Sequence, residues 1–240
     1  MDRLAELWST VWARATATQP VPDLSLVAAT GVVALLLVWA PATWPRVRLG
    51  VTVVHEAGHA IVAVLVGRRL RSVHLHSDTS GLTVSSGKPR GPGMVAMLAA
   101  GYLAPAALGL LAALMLAAGH SMGLLWLLMA LMAALIVWVR NGYGFLVLLL
   151  GAGAVVLLTT YADPQVQSVV AYLLTWVLLL AAPRPLLELL ARGRSRGPRT
   201  DPGQLARLTP LPALAWTLLL LLANLAGLVV GAATLAPSLV

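Results

Sequence analysis

Cysteine is absent from the 240 residues, which rules out disulfides and thiolate metal sites. Charge is scarce as well. Charged residues make up 10% of the chain and hydrophobic ones 60%, against roughly 25% and 45–50% in a soluble domain. No Asp, Glu, Lys or Arg falls between Arg90 and Arg140, and none follows Arg207. Neither stretch can be a water-facing surface, and each exceeds the roughly 20 apolar residues that cross a bilayer. These runs are continuous and do not alternate, which excludes a transmembrane barrel. The first 23 residues lack an apolar core and a small-residue cleavage site, so a signal peptide is not expected there.

What is present reads as an all-α polytopic membrane protein. Leu4, Leu7, Trp8, Val11 and Trp12 recur at helical spacing among charges, so residues 1–23 are expected to form an amphipathic helix in the membrane interface. The rest, 24–240, reads as one integral-membrane domain. Seven transmembrane helices are expected, over 24–40, 49–66, 94–118, 122–139, 145–160, 166–182 and 211–232, the fifth and sixth being short. Seven crossings put the N-terminus, 67–93, 140–144 and 183–210 on one side. That side then holds 14 of the 16 basic residues, all but Arg46 and Arg48. By the positive-inside rule it is cytoplasmic, with the N-terminus inside and the C-terminus outside. The net charge of +8 thus belongs to membrane topology, and the expected partners are the lipid bilayer and no nucleic acid.

Two loops carry structure of their own. In 68–92, alternating residues flank Ser77-Asp-Thr-Ser-Gly81, the pattern of a small cytoplasmic β-hairpin. Residues 183–210 read as a cytoplasmic Arg/Gly/Pro loop, within which 191–210 is flexible at first and rigid near Thr200-Asp-Pro202. Gly227 and Gly231 make a GxxxG, read as helix packing.

The second span contains Val54-His-Glu-Ala-Gly-His-Ala60. His55 and His59, four apart, leave one helix face a turn apart, the geometry with which two imidazoles bind one Zn2+ ion. Glu56 beside them is placed to act as general base on a zinc-bound water. A charged group at mid-membrane costs about 2.5–3.5 kcal/mol, and such groups usually mark function. Gly58 allows close approach of another backbone or a substrate. A third protein ligand is required, with the fourth position open. Asp201 can serve as that ligand or as a helix cap before Pro202. Glu188 can ligate or pair with an Arg. Asp163 ranks last, on the sparsely charged side. Asn141 can orient substrate or stabilise an oxyanion, or simply form a turn with Gly142. His74 and His76 share a strand face and read as exposed, and His120 as lying at the outer interface. Gly101, Pro105 and Gly109 are placed to bend the third span and open a wet cavity. The hairpin edge around Gly81 offers a place where an unwound substrate can add as a strand.

An HExxH within a transmembrane helix resembles the site-2 protease class of intramembrane zinc metalloproteases. The chain is more closely similar to its bacterial, plant and fungal branch, the peptidase M50B-like family. Four stretches carry the resemblance in the family's order: His55-Glu-Ala-Gly-His59, Ser80-Gly-Leu-Thr83, Gly101-Tyr-Leu-Ala-Pro-Ala-Ala-Leu-Gly109, and Thr200-Asp-Pro-Gly-Gln-Leu-Ala206 ahead of a last span with Trp216. The resemblance implies a zinc peptidase of the bacterial cytoplasmic membrane that cuts transmembrane or membrane-proximal segments of a membrane-protein or peptide substrate. It implies His55 and His59 as metal ligands and Glu56 as base, and it favours Asp201 as third ligand. Better-known members place an Asp-Gly in a later core helix; here Asn141-Gly142 stands nearest and has no carboxylate. Two other readings remain, a non-catalytic scaffold and a metal transporter. Against transport, the spacing is that of a hydrolase and no inverted repeat is visible.

Overall fold

The computed structural model describes residues 6, 9, 12, 13, 16–193, 195, 197 and 200–235. Residues 1–5, 7, 8, 10, 11, 14 and 15 of the expected interfacial helix over 1–23 lie outside the described residues, as do Arg194, Arg196 and Arg199. The helices are α1 (Leu24–Trp39), α2 (Trp44–Leu65), α3 (Pro92–Ala117), α4 (Ser121–Ile136), α5 (Gly142–Tyr161), α6 (Pro164–Ala181), α7 (Arg184–Ala191), α8 (Asp201–Leu208) and α9 (Ala213–Leu235). Leu, Ala and Met fill them, and a helix satisfies its own backbone where no water is at hand. Proline opens α2, α3, α6, α7 and α8, at a position whose N–H has no partner within the helix anyway.

Five units are long and apolar enough to cross a membrane: α2, α3, α5, α9, and α6 with α7 as one stretch over Pro164–Ala191. The expectation that the fifth and sixth spans are short is therefore corrected. Helices α1 and α4 have 16 residues each, about 24 Å, short of the roughly 30 Å hydrocarbon core.

The path of the first two helices also differs from seven separate crossings. Gly119, just past the end of α3, accepts a hydrogen bond from Gln19 N at 2.7 Å. At the other end of α3, a Cβ on Gly93 would stand 3.3 Å from Val66. A single 26-residue helix separates those ends, so residues 19 and 66 lie at opposite ends of the bundle. Helices α1 and α2 together make one traverse, and the expected placing of the N-terminal segment beside 67–93 is corrected for the described residues 17–23. The traverse runs parallel to α6 and α7. Gln19 Nε2 donates to Gln167 at 3.0 Å, Gly31 packs on Trp176, and Val38 and Trp44 share a core cluster with Ala181. Both paths break at one level. There Arg184 lies over the rings of Trp39 and Trp44, at 5.3 and 4.1 Å, and Glu188 accepts from Trp44 Nε1 at 2.7 Å while pairing with Arg48 at 3.2 Å. Hydropathy counts apolar runs and cannot see that two of them are stacked end to end.

The hairpin is present as β1 (Arg69–Leu75) and β2 (Gly81–Ser86), antiparallel, with Val73 opposite Thr83 and Leu75 opposite Gly81. The second edge of β1 is taken too. Val73 N donates to Trp138 O at 2.9 Å and Arg140 N to Val73 O at 3.1 Å, a parallel bridge by the segment between α4 and α5. The Asn141 amide extends it, receiving Leu75 N at 3.2 Å and donating to Leu75 O at 2.6 Å. Thr52 Oγ1 on α2 donates to Thr79 O at 2.8 Å and holds the hairpin turn down.

Helix α3 runs unbroken through Gly101, Pro105 and Gly109. These residues were expected to bend it open, but the two glycines instead admit neighbours: Gly101 faces the His55 and His59 rings and Gly109 faces Leu178 and Leu179. Gly227 and Gly231 pack within the chain, on Ala106 and Leu179. A close approach joins α2 to α3, where a Cβ on Gly58 would lie 2.5 Å from Ala104 Cβ and 2.7 Å from Ala100 O. Gly50, on the same helix, has nothing within 4 Å of such a Cβ. Gly58→Ala is expected to destabilise by about 1–3 kcal/mol, the usual cost of overpacking. Gly50→Ala is expected to be neutral or up to about 1 kcal/mol stabilising. Thermal unfolding in detergent should lower the midpoint of Gly58→Ala and leave that of Gly50→Ala unchanged or raised.

Candidate metal centre

Residues 55, 56 and 59 lie in the second half of α2, where Glu56 and His59 are 4% and 5% exposed. Nε2 of His55 and Nε2 of His59 stand 3.0 Å apart with rings edge to face. The Met97 carbonyl on α3 lies 2.7 Å from His59 Nδ1. A carbonyl only accepts, so Nδ1 carries a proton and Nε2 is the nitrogen turned to the centre. The edge of His55 also meets the Tyr102 ring, centroids 4.7 Å apart. Alanine would not do at residue 101. A Cβ there would overlap His59 Nε2 and lie 2.5 Å from His59 Cε1 and 2.7 Å from His55 Cε1.

The third group is Asp201. Its Oδ2 is 3.2 Å from His55 Nε2 and 3.3 Å from His59 Nε2. The capping role falls to its neighbour: Thr200 is the N-cap of α8, its Oγ1 accepting from Gly203 N at 3.2 Å. Asp201 therefore opens the helix with its carboxylate free to face the imidazoles. Burial pushes this carboxyl up, but His59 and His55 outweigh it and hold Asp201 below the ordinary carboxylate range.

The fit to a metal ion can be tested on these distances. Tetrahedral zinc with bonds of about 2.0–2.2 Å spaces its ligand atoms by roughly 3.3–3.6 Å. The three atoms here lie 3.0, 3.2 and 3.3 Å apart, and among the described residues they form the one cluster of its kind. Two lone pairs and a carboxylate oxygen would repel at that separation without a cation or a shared proton. The donor set, two imidazole nitrogens with one carboxylate oxygen, fits a divalent metal such as zinc.

Glu56 does not join this cluster. Its Oε2 accepts from Thr83 Oγ1 of β2 at 2.5 Å. Its Oε1 lies against Gly81, where a Cβ would overlap it and stand 2.6 Å from Cγ. The two imidazoles and the Glu56 carboxylate thus leave α2 side by side, the imidazoles toward α3 and α8 and the carboxylate toward the hairpin. They open on a cleft of about 490 Å³ lined by polar and apolar groups, among them Ser85, Tyr102 and Gln204.

The remaining candidates fall elsewhere. Glu188 is engaged by Trp44, Arg48 and Arg184, at the level where the helices break. Asp163 is the N-cap residue of α6, at the end of the bundle away from the hairpin. Asn141, expected to orient substrate or form a turn, is used up in holding β1. Pro105 is buried within α3. His74 and His76 stack on the hairpin with centroids 6.5 Å apart, and each has a serine hydroxyl beside it. The sequence reading placed Thr83 in the stretch Ser80-Gly-Leu-Thr83 but gave it no contact with Glu56, and it missed the Met97 carbonyl and the rings that Gly101 faces. The Met97 group is a backbone atom and has no signature in the sequence. Gly101→Ala is expected to displace both imidazoles and weaken zinc binding by roughly 10–100-fold, as loss of ligand support does. Competition against a chromophoric chelator would measure it.

A comparison with protein families matches the model of the peptidase M50B-like family to residues 28–231, which takes in the whole cluster. Neither a curated protein nor a solved structure matches the chain. The match covers most of the sequence, and the helices that hold His55, Glu56, His59 and Asp201 all lie within it: this membrane protein belongs to the peptidase M50B-like family.

Proposed function

We propose that the chain is an intramembrane zinc metalloendopeptidase that cleaves peptide bonds in or near transmembrane segments of membrane proteins. The observation that carries this reading is the convergence of His55 Nε2, His59 Nε2 and Asp201 Oδ2 within 3.3 Å, with a buried glutamate next in sequence to the first. His55, His59 and Asp201 would hold the metal. Bound there, zinc supplies a Lewis acid for the scissile carbonyl and lowers the pKa of water. Glu56 takes the proton of the attacking water on its carboxylate and returns it to the leaving amine. Among the described residues no strand pairs with the outer edge of β2. A substrate segment unwound from its helix has free backbone groups to add along that edge, which brings it over the cleft.

Zinc content per chain and cleavage of a transmembrane peptide test the reading together. Wild type is expected to carry about one zinc. His59→Ala and Asp201→Ala should lose it. Glu56→Gln should keep it and lose cleavage by about 10²–10⁴-fold, the usual contribution of a positioned base. Zinc retained without any cleavage by wild type would favour the scaffold, and no zinc in wild type would end the peptidase reading.

The proposed orientation places the hairpin end in the cytoplasm. Arg68, Arg69, Arg71, Lys88, Arg90, Arg140, Arg192 and Arg207 lie in the segments at or beyond that end. Among the described residues no Lys or Arg lies in 17–23, 118–121 or 161–168 at the other. Charge asymmetry of that kind orients helical membrane proteins. Residues 17–23 and the end of α9 then lie outside. The lack of native cysteine makes the test clean. A thiol reagent that cannot cross the membrane should label Thr18→Cys on intact cells and Ser77→Cys only after lysis; labelling of both from one side would refute the single traverse of α1 and α2.

A further inference from the structure

The hydrogen bond from Thr83 to Glu56 crosses between two elements, and its geometry has a chemical consequence. Glu56 sits at mid-helix on α2, 4% exposed, where a free carboxylate turns about its side-chain torsions. Thr83 Oγ1 donates to Oε2 at 2.5 Å and lies 3.3 Å from the carbonyl oxygen of the same residue. Gly81, on the same face of β2 two residues earlier, meets the other side of the carboxylate. One oxygen is bound, the other confined, and the plane of the carboxylate is set by the strand rather than by the helix that bears it.

We infer that Thr83 is a positioning residue for the base Glu56, so that the hairpin is part of the reactive geometry and not only an edge for substrate. The inference rests on the proposed peptidase reading. A hydroxyl at residue 83 leaves the metal ligands untouched, since His55, His59 and Asp201 make none of their contacts to it. Its removal frees Glu56 to take orientations in which it cannot reach the water it must deprotonate. The second tether of the hairpin, Thr52 Oγ1 to Thr79 O, does not touch Glu56. That separates positioning of the base from simple anchoring of the strands.

The test compares Thr83→Val, Thr83→Ser and Thr52→Val with wild type and Glu56→Gln, all as full chains in detergent with zinc bound. Thr83→Val is expected to keep its zinc, to lose kcat by roughly 10–100-fold, the scale of a hydrogen bond to a charged group, and to leave KM within about twofold. Thr83→Ser should restore kcat, and Thr52→Val should not lower it. In Glu56→Gln, adding Thr83→Val should cost nothing further, because the group it positions is gone. A readout free of turnover is the infrared carboxylate band isolated by difference against Glu56→Gln. It should move in Thr83→Val, return in Thr83→Ser and stay put in Thr52→Val. An unmoved band in Thr83→Val, or a loss expressed only in KM, overturns the assignment. If wild type itself cleaves nothing, the peptidase reading fails and the assignment of Thr83 as a positioning residue falls with it; the infrared band then shows separately whether the Thr83–Glu56 contact exists.

Discussion

Two imidazoles one turn apart on an apolar helix need partners that a bilayer cannot supply, because their ring nitrogens must be satisfied without water. The bundle around α2 is arranged to meet that demand. Helix α3 comes close enough for a backbone carbonyl to fix the His59 tautomer, and only glycine at 58 and 101 permits that distance. Helix α8 then delivers a carboxylate to the remaining face of the pair. The same close approach that packs α2 on α3 therefore builds the metal-facing wall of the site.

The opposite wall is β structure in an otherwise helical chain. A lone hairpin is marginal in water, and this one is held on three sides: by the 138–140 segment, by the Asn141 amide and by Thr52 and Thr83 against α2. Its outer edge stays unpaired among the described residues. Backbone with open hydrogen-bonding capacity is tolerated near the membrane only where it meets a wet cleft or a partner, and residues 81–85 of β2 line the cleft beside Glu56.

Away from the site, the paired breaks at α1–α2 and α6–α7 are joined by Arg184, Glu188, Arg48 and two tryptophans. Charged groups at that level are stabilised by each other and by indole faces, where an isolated charge would be expelled. Seven apolar runs thus become fewer traverses. Of the two readings of Glu188, pairing with an Arg is the one the structure bears out, locally with Arg184; its second partner, Arg48, lies 140 residues away and cannot be seen in one dimension, nor can the end-to-end stacking that moves residues 17–23.

Membrane class, the helical elements and the hairpin were legible in the sequence because each depends on local composition and spacing. The pair His55 and His59 with Glu56 was legible for the same reason, since four residues is one turn. Asp201 was legible as a candidate and no further, because a carboxylate before a proline is equally a cap, a role that falls to the hydroxyl of Thr200. What the tertiary structure alone decided is everything that depends on close approach between distant segments: Gly101 making room for two rings, Asn141 bound to a strand, Thr83 on the Glu56 carboxylate. These contacts are made by ordinary residues whose chemistry becomes specific only when another helix or strand lies within hydrogen-bonding distance.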